Sequence, residues 1–242
     1  MTFVTAEISC HWAGDLGILR EIAIDCKRIG FDAVKLQALS PQKISNHTEL
    51  HYYEDSSVSI YNVEEINKVF KSVGIEWYCT PTYADAVEFL DPYVNRYKIS
   101  VAGSIDEKLK DRVFSTGKQV IISTQKPFKT TDPRIKNLYC VPIYPTSYGE
   151  INFNIIPKFD GYSNHCRNPM AILKAVEMGA EFIEFHVTPS KDFFLIDNAV
   201  SFTMSEAKDI VRGIRIYESW NNGSSPPNFG EVSQQSISKS GR

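Results

Sequence analysis

The chain has 242 residues, 43% of them apolar and 23% charged, so it can bury a sizeable core and the bulk of it is not disordered. Its formal charge of −3 gives no general attraction to nucleic acid or to an anionic membrane, so local lysines must recognise any phosphorylated ligand. No run of about 18 or more apolar residues is present, the opening Met1 to Glu7 lacks the features of a signal peptide, and five cysteines without CxxC spacing read as the reduced thiols of a cytoplasmic protein.

Eight short segments, apolar on both faces and rich in β-branched and aromatic residues, read as strands: Phe3–Ser9, Ala33–Leu39, Glu76–Thr82, Arg96–Val101, Gln119–Ser123, Asn137–Ile143, Asp160–His165 and Phe182–Thr188. Runs of this kind fit parallel strands covered on both sides. Helical periodicity alternates with them. Leu16–Ile29 is followed by Gly30, Val63–Val73 by Gly74, Asp106–Phe114 by Gly117 and Met170–Met178 by Gly179; Ser205–Trp220 is a last helix. Glycine just past a helix supplies the left-handed residue that ends it. Between Thr124 and Lys136, Pro127, Pro133 and the Thr130-Thr131-Asp132 run break any helix, so the fifth βα unit is expected to be shortened. The alternation predicts an α/β fold, a (β/α)8 TIM barrel over residues 1–220. Residues 221–242, rich in Ser, Gly, Asn, Gln and Pro, are expected to form a flexible polar tail. An open doubly wound sheet is the alternative, weakened by the lack of a Gly-rich loop after the first strand.

Such barrels place their chemistry at the C-terminal ends of the strands. Glu7 lies there among apolar neighbours, where a carboxylate is costly unless paired, so it is either functional or part of an ion pair. Lys35 and Gln37 share one face of the second strand, and Lys98 repeats the pattern on the fourth. Two inward lysines need an anion, either protein carboxylates or a phosphate. Thr80 and Ser123 end strands three and five, where a hydroxyl either donates to a phosphate oxygen or caps the next loop. Tyr144, after strand six, lines the pocket or packs. His165 and His186 close two neighbouring strands, with Ser163 on the face of His165; two imidazoles so placed are candidate ligands for a divalent metal. Asp197, in the loop beyond His186, either folds back over the site or is a solvated loop residue. His11, His47 and His51 lie in loops and carry a weaker signal, and Cys166 reads as a small buried residue rather than a thiolate ligand.

Taken in chain order, the matching pieces are Ala6-Glu7-Ile8 with Gly14-Asp15, Asp32-Ala33-Val34-Lys35-Leu36-Gln37, Cys79-Thr80-Pro81 and Tyr97-Lys98-Ile99. They continue with Ile121-Ile122-Ser123-Thr124, Ile143-Tyr144-Pro145-Thr146, Gly161-Tyr162-Ser163-Asn164-His165 and Ile183-Glu184-Phe185-His186. This ordered set resembles the N-acetylneuraminate (sialic acid) synthase family over residues 3 to about 215. The resemblance implies a metal-dependent transferase of carbohydrate biosynthesis that condenses phosphoenolpyruvate with an open-chain N-acylated amino sugar, such as N-acetylmannosamine. The products would be a nonulosonic acid and phosphate. It implies that His165 and His186 hold Mn²⁺, with Mg²⁺ or Co²⁺ as alternatives. Lys35, Lys98, Ser123 and Ser163 would hold phosphoenolpyruvate, with Thr80 also in the substrate-binding set. Glu7, Gln37, Tyr144 and Asp197 would surround the sugar and the attacking water. Glu7, Lys98 and Asp197 are the candidate catalytic residues.

The sequence departs from the family pattern at several points. His11-Trp12 stands where the family has Asn-His. Ser100-Val101-Ala102-Gly103 lacks an acidic residue and shifts the serine. Tyr139, Val141 and Pro142 replace His, Thr and Asn around Cys140, and Asn164 replaces an aspartate. The family's C-terminal antifreeze-like domain, which reaches across a dimer and completes the sugar pocket, is not matched within these residues. The resemblance therefore implies a homodimer, or a separate antifreeze-like domain, as partner. Two other readings follow: a non-catalytic relative that binds a sugar or a protein, and an aldolase with a Schiff-base lysine at Lys35 or Lys98.

Overall fold

Eight parallel strands hydrogen-bond in sequence order and close on themselves, the last pairing with the first through Phe3↔Phe182 to Glu7↔His186. They are β1 (Phe3–Glu7), β2 (Ala33–Ala38), β3 (Glu76–Pro81), β4 (Arg96–Ile99), β5 (Gln119–Thr124), β6 (Ile135–Tyr139), β7 (Gly161–Asn164) and β8 (Phe182–Thr188). A two-residue β9 (Phe202–Thr203) pairs with the far end of β8. The computed structural model describes residues 1–40, 50–127, 129–190 and 196–225. The barrel expected from the strand–helix alternation is the observed fold; most of the tail expected over 221–242 lies outside the described residues.

The helices that wrap the barrel begin and end where local chemistry dictates. α1 (Leu16–Ile29) opens on Asp15, whose carboxylate accepts from the Gly17 and Ile18 amides, and stops at Gly30 with φ 98°. It is followed by α2 (Leu50–Ser56), α3 (Val63–Val73), the short α4 (Ala86–Leu90), α5 (Glu107–Ser115), α6 (Pro169–Glu177) and α7 (Met204–Asn221). Asp106 and Asn168 are N-caps rather than helical residues, so α5 begins one residue later than periodicity predicts, while α6 takes Pro169 at its first turn. α7 starts with a capping box between Thr203 and Glu206.

The fifth unit has no helix among its described residues, as expected. The sixth also lacks an α-helix, which the periodicity did not predict: only 3₁₀ turns at Tyr148–Glu150 and Phe153–Lys158 join β6 to β7. Pro142, Pro145 and Pro157 deny this stretch the amide donors a helix needs. For the same reason β6 ends at Tyr139, and the expected strand residues Cys140 to Ile143 leave the sheet.

Inside the barrel, side chains fill successive layers. At the N-terminal ends of the strands, Arg96 pairs bidentately with Glu76 at 2.8 and 3.0 Å, and its guanidinium lies 4.3 Å from the Phe3 ring centroid. Above them Tyr78 donates to Thr5 Oγ1 at 2.9 Å, and Ile121 and Leu138 are buried. The interior is thus packed from its base to mid-height. All five cysteines are buried and unpaired, and among the described residues no helix is long and apolar enough to cross a membrane. β7 and β8 approach so closely that a Cβ on Gly161 would stand 2.0 Å from the Phe182 carbonyl oxygen. Gly161→Ala is therefore expected to destabilise the barrel by about 3 kcal/mol or more, measured by urea unfolding.

Candidate active site

Strand register gathers the polar groups at one end of the barrel. Glu7 lies level with Lys35 on one side and His186 on the other, Gln37 with Thr80, and Ser163 with Glu184. Their side chains line a cavity of about 410 Å³ together with Lys98, Ser123, Tyr144 and His165. Of the candidate catalytic, substrate-binding and metal-holding residues, Asp197 alone is not in the lining. It lies behind, accepting from the Tyr144 hydroxyl at 2.6 Å, with Oδ2 3.9 Å from His186 Nδ1.

The floor of the cavity is a cluster of buried charge. Lys35 Nζ stands 2.6 Å from Glu7 Oε2 and 2.9 Å from Glu184 Oε1. Lys98 Nζ is 2.7 Å from the same Glu184 oxygen, to which Ser163 also donates at 3.0 Å. None of the four charged residues is more than 5% exposed. The anion that two inward lysines require is therefore supplied here by protein carboxylates. Glu184 is absent from the sequence-derived site set. The signal for it was present: it lies two residues before His186 on one strand, and alternation turns both into the barrel.

Burial opposes the charge on Glu184, but Lys35 and Lys98 hold its carboxyl well below the usual carboxylate range. Burial also pulls Lys35 down, but Glu184 and Glu7 outweigh it and keep the ammonium charged. For Lys98 burial prevails over Glu184 and the pKa falls; for Glu7 burial prevails over Lys35 and the carboxyl is raised.

Above this floor the two imidazoles are neutral, while the Asp197 carboxyl behind them, although burial opposes its charge, is held below its usual range by His186 and by its hydrogen bonds. Burial holds His165 at about 3 and His186 at about 4. The two rings stand 5.4 Å apart, centroid to centroid, with Tyr144 against both and its hydroxyl 3.2 Å from His186 Nε2. His165 Nδ1 lies 3.7 Å from Cys140 Sγ. His165 itself sits just past β7 on a bend closed by Asn164, which bonds both the amide and the carbonyl of Cys166. Two neutral imidazoles suit a borderline divalent ion, and His186 Nδ1 is buried without a hydrogen-bond partner. Among the described residues no group of three or more His, Cys, Asp or Glu could hold a metal, so most positions around such an ion would fall to water or substrate.

Two hydroxyls on the lining, Thr80 Oγ1 and Ser123 Oγ, are also buried without a hydrogen-bond partner. The wall beyond β4 is Ser100, Val101 and Ala102, and brings no charged group to the cavity. His11 links the loops after β1 and β8, with Nδ1 3.0 Å from Ile8 O and Nε2 3.2 Å from Asn198 Oδ1. His47 and the side chain of His51 lie outside the described residues.

Two outcomes test this electrostatic arrangement. Glu184→Ala leaves two buried ammonium groups short of a partner and should cost about 3–5 kcal/mol in urea unfolding. The histidines should make the metal-free protein acid-sensitive. Their ordinary value is 6.5 and their folded values are about 3 and about 4, so below pH 6.5 the unfolded chain binds more protons. Their contribution is present above pH 6.5 and is lost as pH falls towards 4, by up to about 1.4 kcal/mol per unit for each ring. Glu7, whose raised carboxyl acts in the opposite sense, is common to wild type and His165→Gln. The difference in slope between those two proteins from pH 6.5 to 5 should therefore report His165.

Comparison with known proteins agrees with this geometry. The chain is 29% identical over 239 residues to an uncharacterized protein of Methanocaldococcus jannaschii, covering 90% of this chain and 71% of that protein. It is 28% identical over 254 residues to the N,N'-diacetyllegionaminic acid synthase of Legionella pneumophila, covering 88% and 71%. In fold it is similar to a crystal structure of N-acetylneuraminic acid (sialic acid) synthetase from Leptospira borgpetersenii in complex with citrate. The TM-score is 0.80 at 21% identity, over 93% of this chain and 87% of that one. Residues 22–224 match the NeuB family, and with a match across most of its barrel the chain belongs to that family.

Proposed function

We propose that this NeuB-family barrel is a sugar-acid synthase that condenses phosphoenolpyruvate with an open-chain N-acylated amino sugar, releasing a nonulosonic acid and phosphate. The observation that carries the reading is the pair of buried, unpartnered hydroxyls, Thr80 and Ser123, on the same cavity as Lys35 and Lys98. A buried donor without an acceptor calls for one, and a ring of hydroxyl and ammonium donors suits phosphate and carboxylate oxygens. The name of the Legionella pneumophila relative, a synthase of an acidic sugar, supports the same class. The unpaired cysteines fit a cytoplasmic setting.

In this reading phosphoenolpyruvate lies on the floor, held by Lys35, Lys98, Thr80, Ser123 and Ser163. The sugar lies above it against Gln37 and Tyr144. C3 of the enol phosphate attacks the aldehyde carbon, forming the new C–C bond and leaving electron deficiency at C2. Water adds at C2, and the bond from C2 to the phosphate oxygen then breaks, leaving the keto acid. The lysines stabilise the phosphate and carboxylate charge throughout. Glu7, raised by burial and next to Lys35, is suited to orient the water or take its proton. Asp197 pins the Tyr144 hydroxyl where it can donate to the sugar. A divalent ion on His165 and His186, Mn²⁺ first and Mg²⁺ or Co²⁺ as alternatives, would polarise the aldehyde as a Lewis acid. A second copy of the chain or a separate domain completes the acceptor side, where Ser100, Val101 and Ala102 bring no charge.

One observation favours a second reading, a binding module without turnover: each lysine already faces a carboxylate, so an anion must compete for it. A Schiff-base aldolase is less well supported, because both amines are ion-paired rather than free. Phosphate release from phosphoenolpyruvate with Mn²⁺ and a panel of aldehyde sugars, led by N-acetylmannosamine, tests the proposal. Release should require the sugar, and His186→Ala should lower it by more than the roughly 10–100-fold typical of losing an outer-sphere partner. Metal binding without release from any sugar would favour the binding module.

A further inference from the structure

Ser9, two residues past the end of β1, has φ 41°. Residues other than glycine take this left-handed conformation at a cost, and such outliers gather at functional sites. Ser9 is only 4% exposed, and its polar groups meet residues from three elements. The left-handed bend returns its amide to the carboxylate two residues earlier, donating to Glu7 Oε1 at 2.7 Å. Its hydroxyl accepts from Gln37 Nε2 at 3.4 Å and faces the Asp197 carboxylate, whose charged form it favours. Asp197 in turn holds the Tyr144 hydroxyl, which abuts His186. One residue thus links β1 through its amide, and β2 and the loop after β8 through its hydroxyl, and by way of that loop it reaches the tyrosine at the mouth.

We propose that Ser9 is a positioning residue of this site: it fixes the Glu7 and Asp197 carboxylates relative to each other, and through Asp197 the Tyr144 phenol, without touching the reacting atoms. Glycine would adopt the same backbone without strain. Alanine would keep the strain and lose the hydroxyl. If Ser9 only shaped the turn, Ser9→Gly would be neutral or stabilising in every measurement. If it positions, stability and site geometry separate.

The proposal rests on the synthase reading for its kinetic arm only. Both variants should lose about tenfold to hundredfold in kcat/KM for the acceptor, with the KM for phosphoenolpyruvate unchanged. Ser9→Gly should melt at or above the wild-type temperature. The second arm needs no turnover. In ¹⁵N spectra of histidine-labelled protein, the His186 ring nitrogens should move in Ser9→Gly in the direction seen in Asp197→Asn. Unmoved His186 signals in a folded Ser9→Gly protein would overturn the proposal, whether or not the wild type releases phosphate. So would a wild-type acceptor kcat/KM in that variant. Absence of sugar-dependent release from the wild type, with the His186 signals shifting as expected, would count against the synthase reading and leave the positioning role standing.

Discussion

Two ammonium groups and two carboxylates, sealed together in the upper half of a barrel, are the constraint on which the rest of this structure depends. Taking one such ion out of water without a partner would cost several kcal/mol, and the four are tolerable only as a set. Glu184 is the hub, meeting Lys35, Lys98 and Ser163 at a single oxygen. Because the set draws on β1, β2, β4, β7 and β8, it also fixes register. A slip of one residue on β1, β2, β4 or β8 would turn a charge out of the cluster and into the apolar layer beneath the helices, and one on β7 would remove the Ser163 hydroxyl. The same groups that could grip an anion are therefore part of what makes the barrel close in one way only.

Charge is concentrated on the floor, and the two imidazoles above it are kept neutral by burial. This division suits two kinds of contact in one cavity: ionic below, hydrogen-bonding and ligand-field above. The neutrality of His165 and His186 is imposed by their surroundings, yet their orientation comes from small polar contacts. Asn164 knots the bend that carries His165, and the Asp197–Tyr144 pair packs against His186. These supports come from a strand end and from loops, and the charged floor comes from within the strands. The rigid part of the site is built into the sheet and the adjustable part hangs over it.

Most of the barrel was legible because its strands are apolar on both faces and its helices carry their own stop signals. Gly30 and Gly74 end α1 and α3 where periodicity places them. Capping side chains are harder to read: Asp106 looks helical by position and is an N-cap. The missing sixth helix escaped notice because its prolines are spread through the segment rather than clustered as in the fifth. At the site, lysines and histidines stand out against apolar runs, whereas Glu184 is visible only through its alternation with His186 on one strand. Ser9 could not be read at all. A left-handed serine is selected by contacts with Gln37 and Asp197, which lie far away in the chain.

The packed lower half of the barrel has a further consequence. With Arg96, Glu76 and Phe3 at the base and Tyr78, Thr5, Ile121 and Leu138 buried above them, the described side chains fill the barrel below the cavity. Among the described residues, the cavity lies at the C-terminal ends of the strands above this packed half. Any two ligands that occupy it together at different depths must queue: the deeper enters first, and it cannot leave until the shallower has gone or has been joined to it. Sequence of arrival and departure is thus written into the shape of the cavity, independently of how tightly either ligand is held.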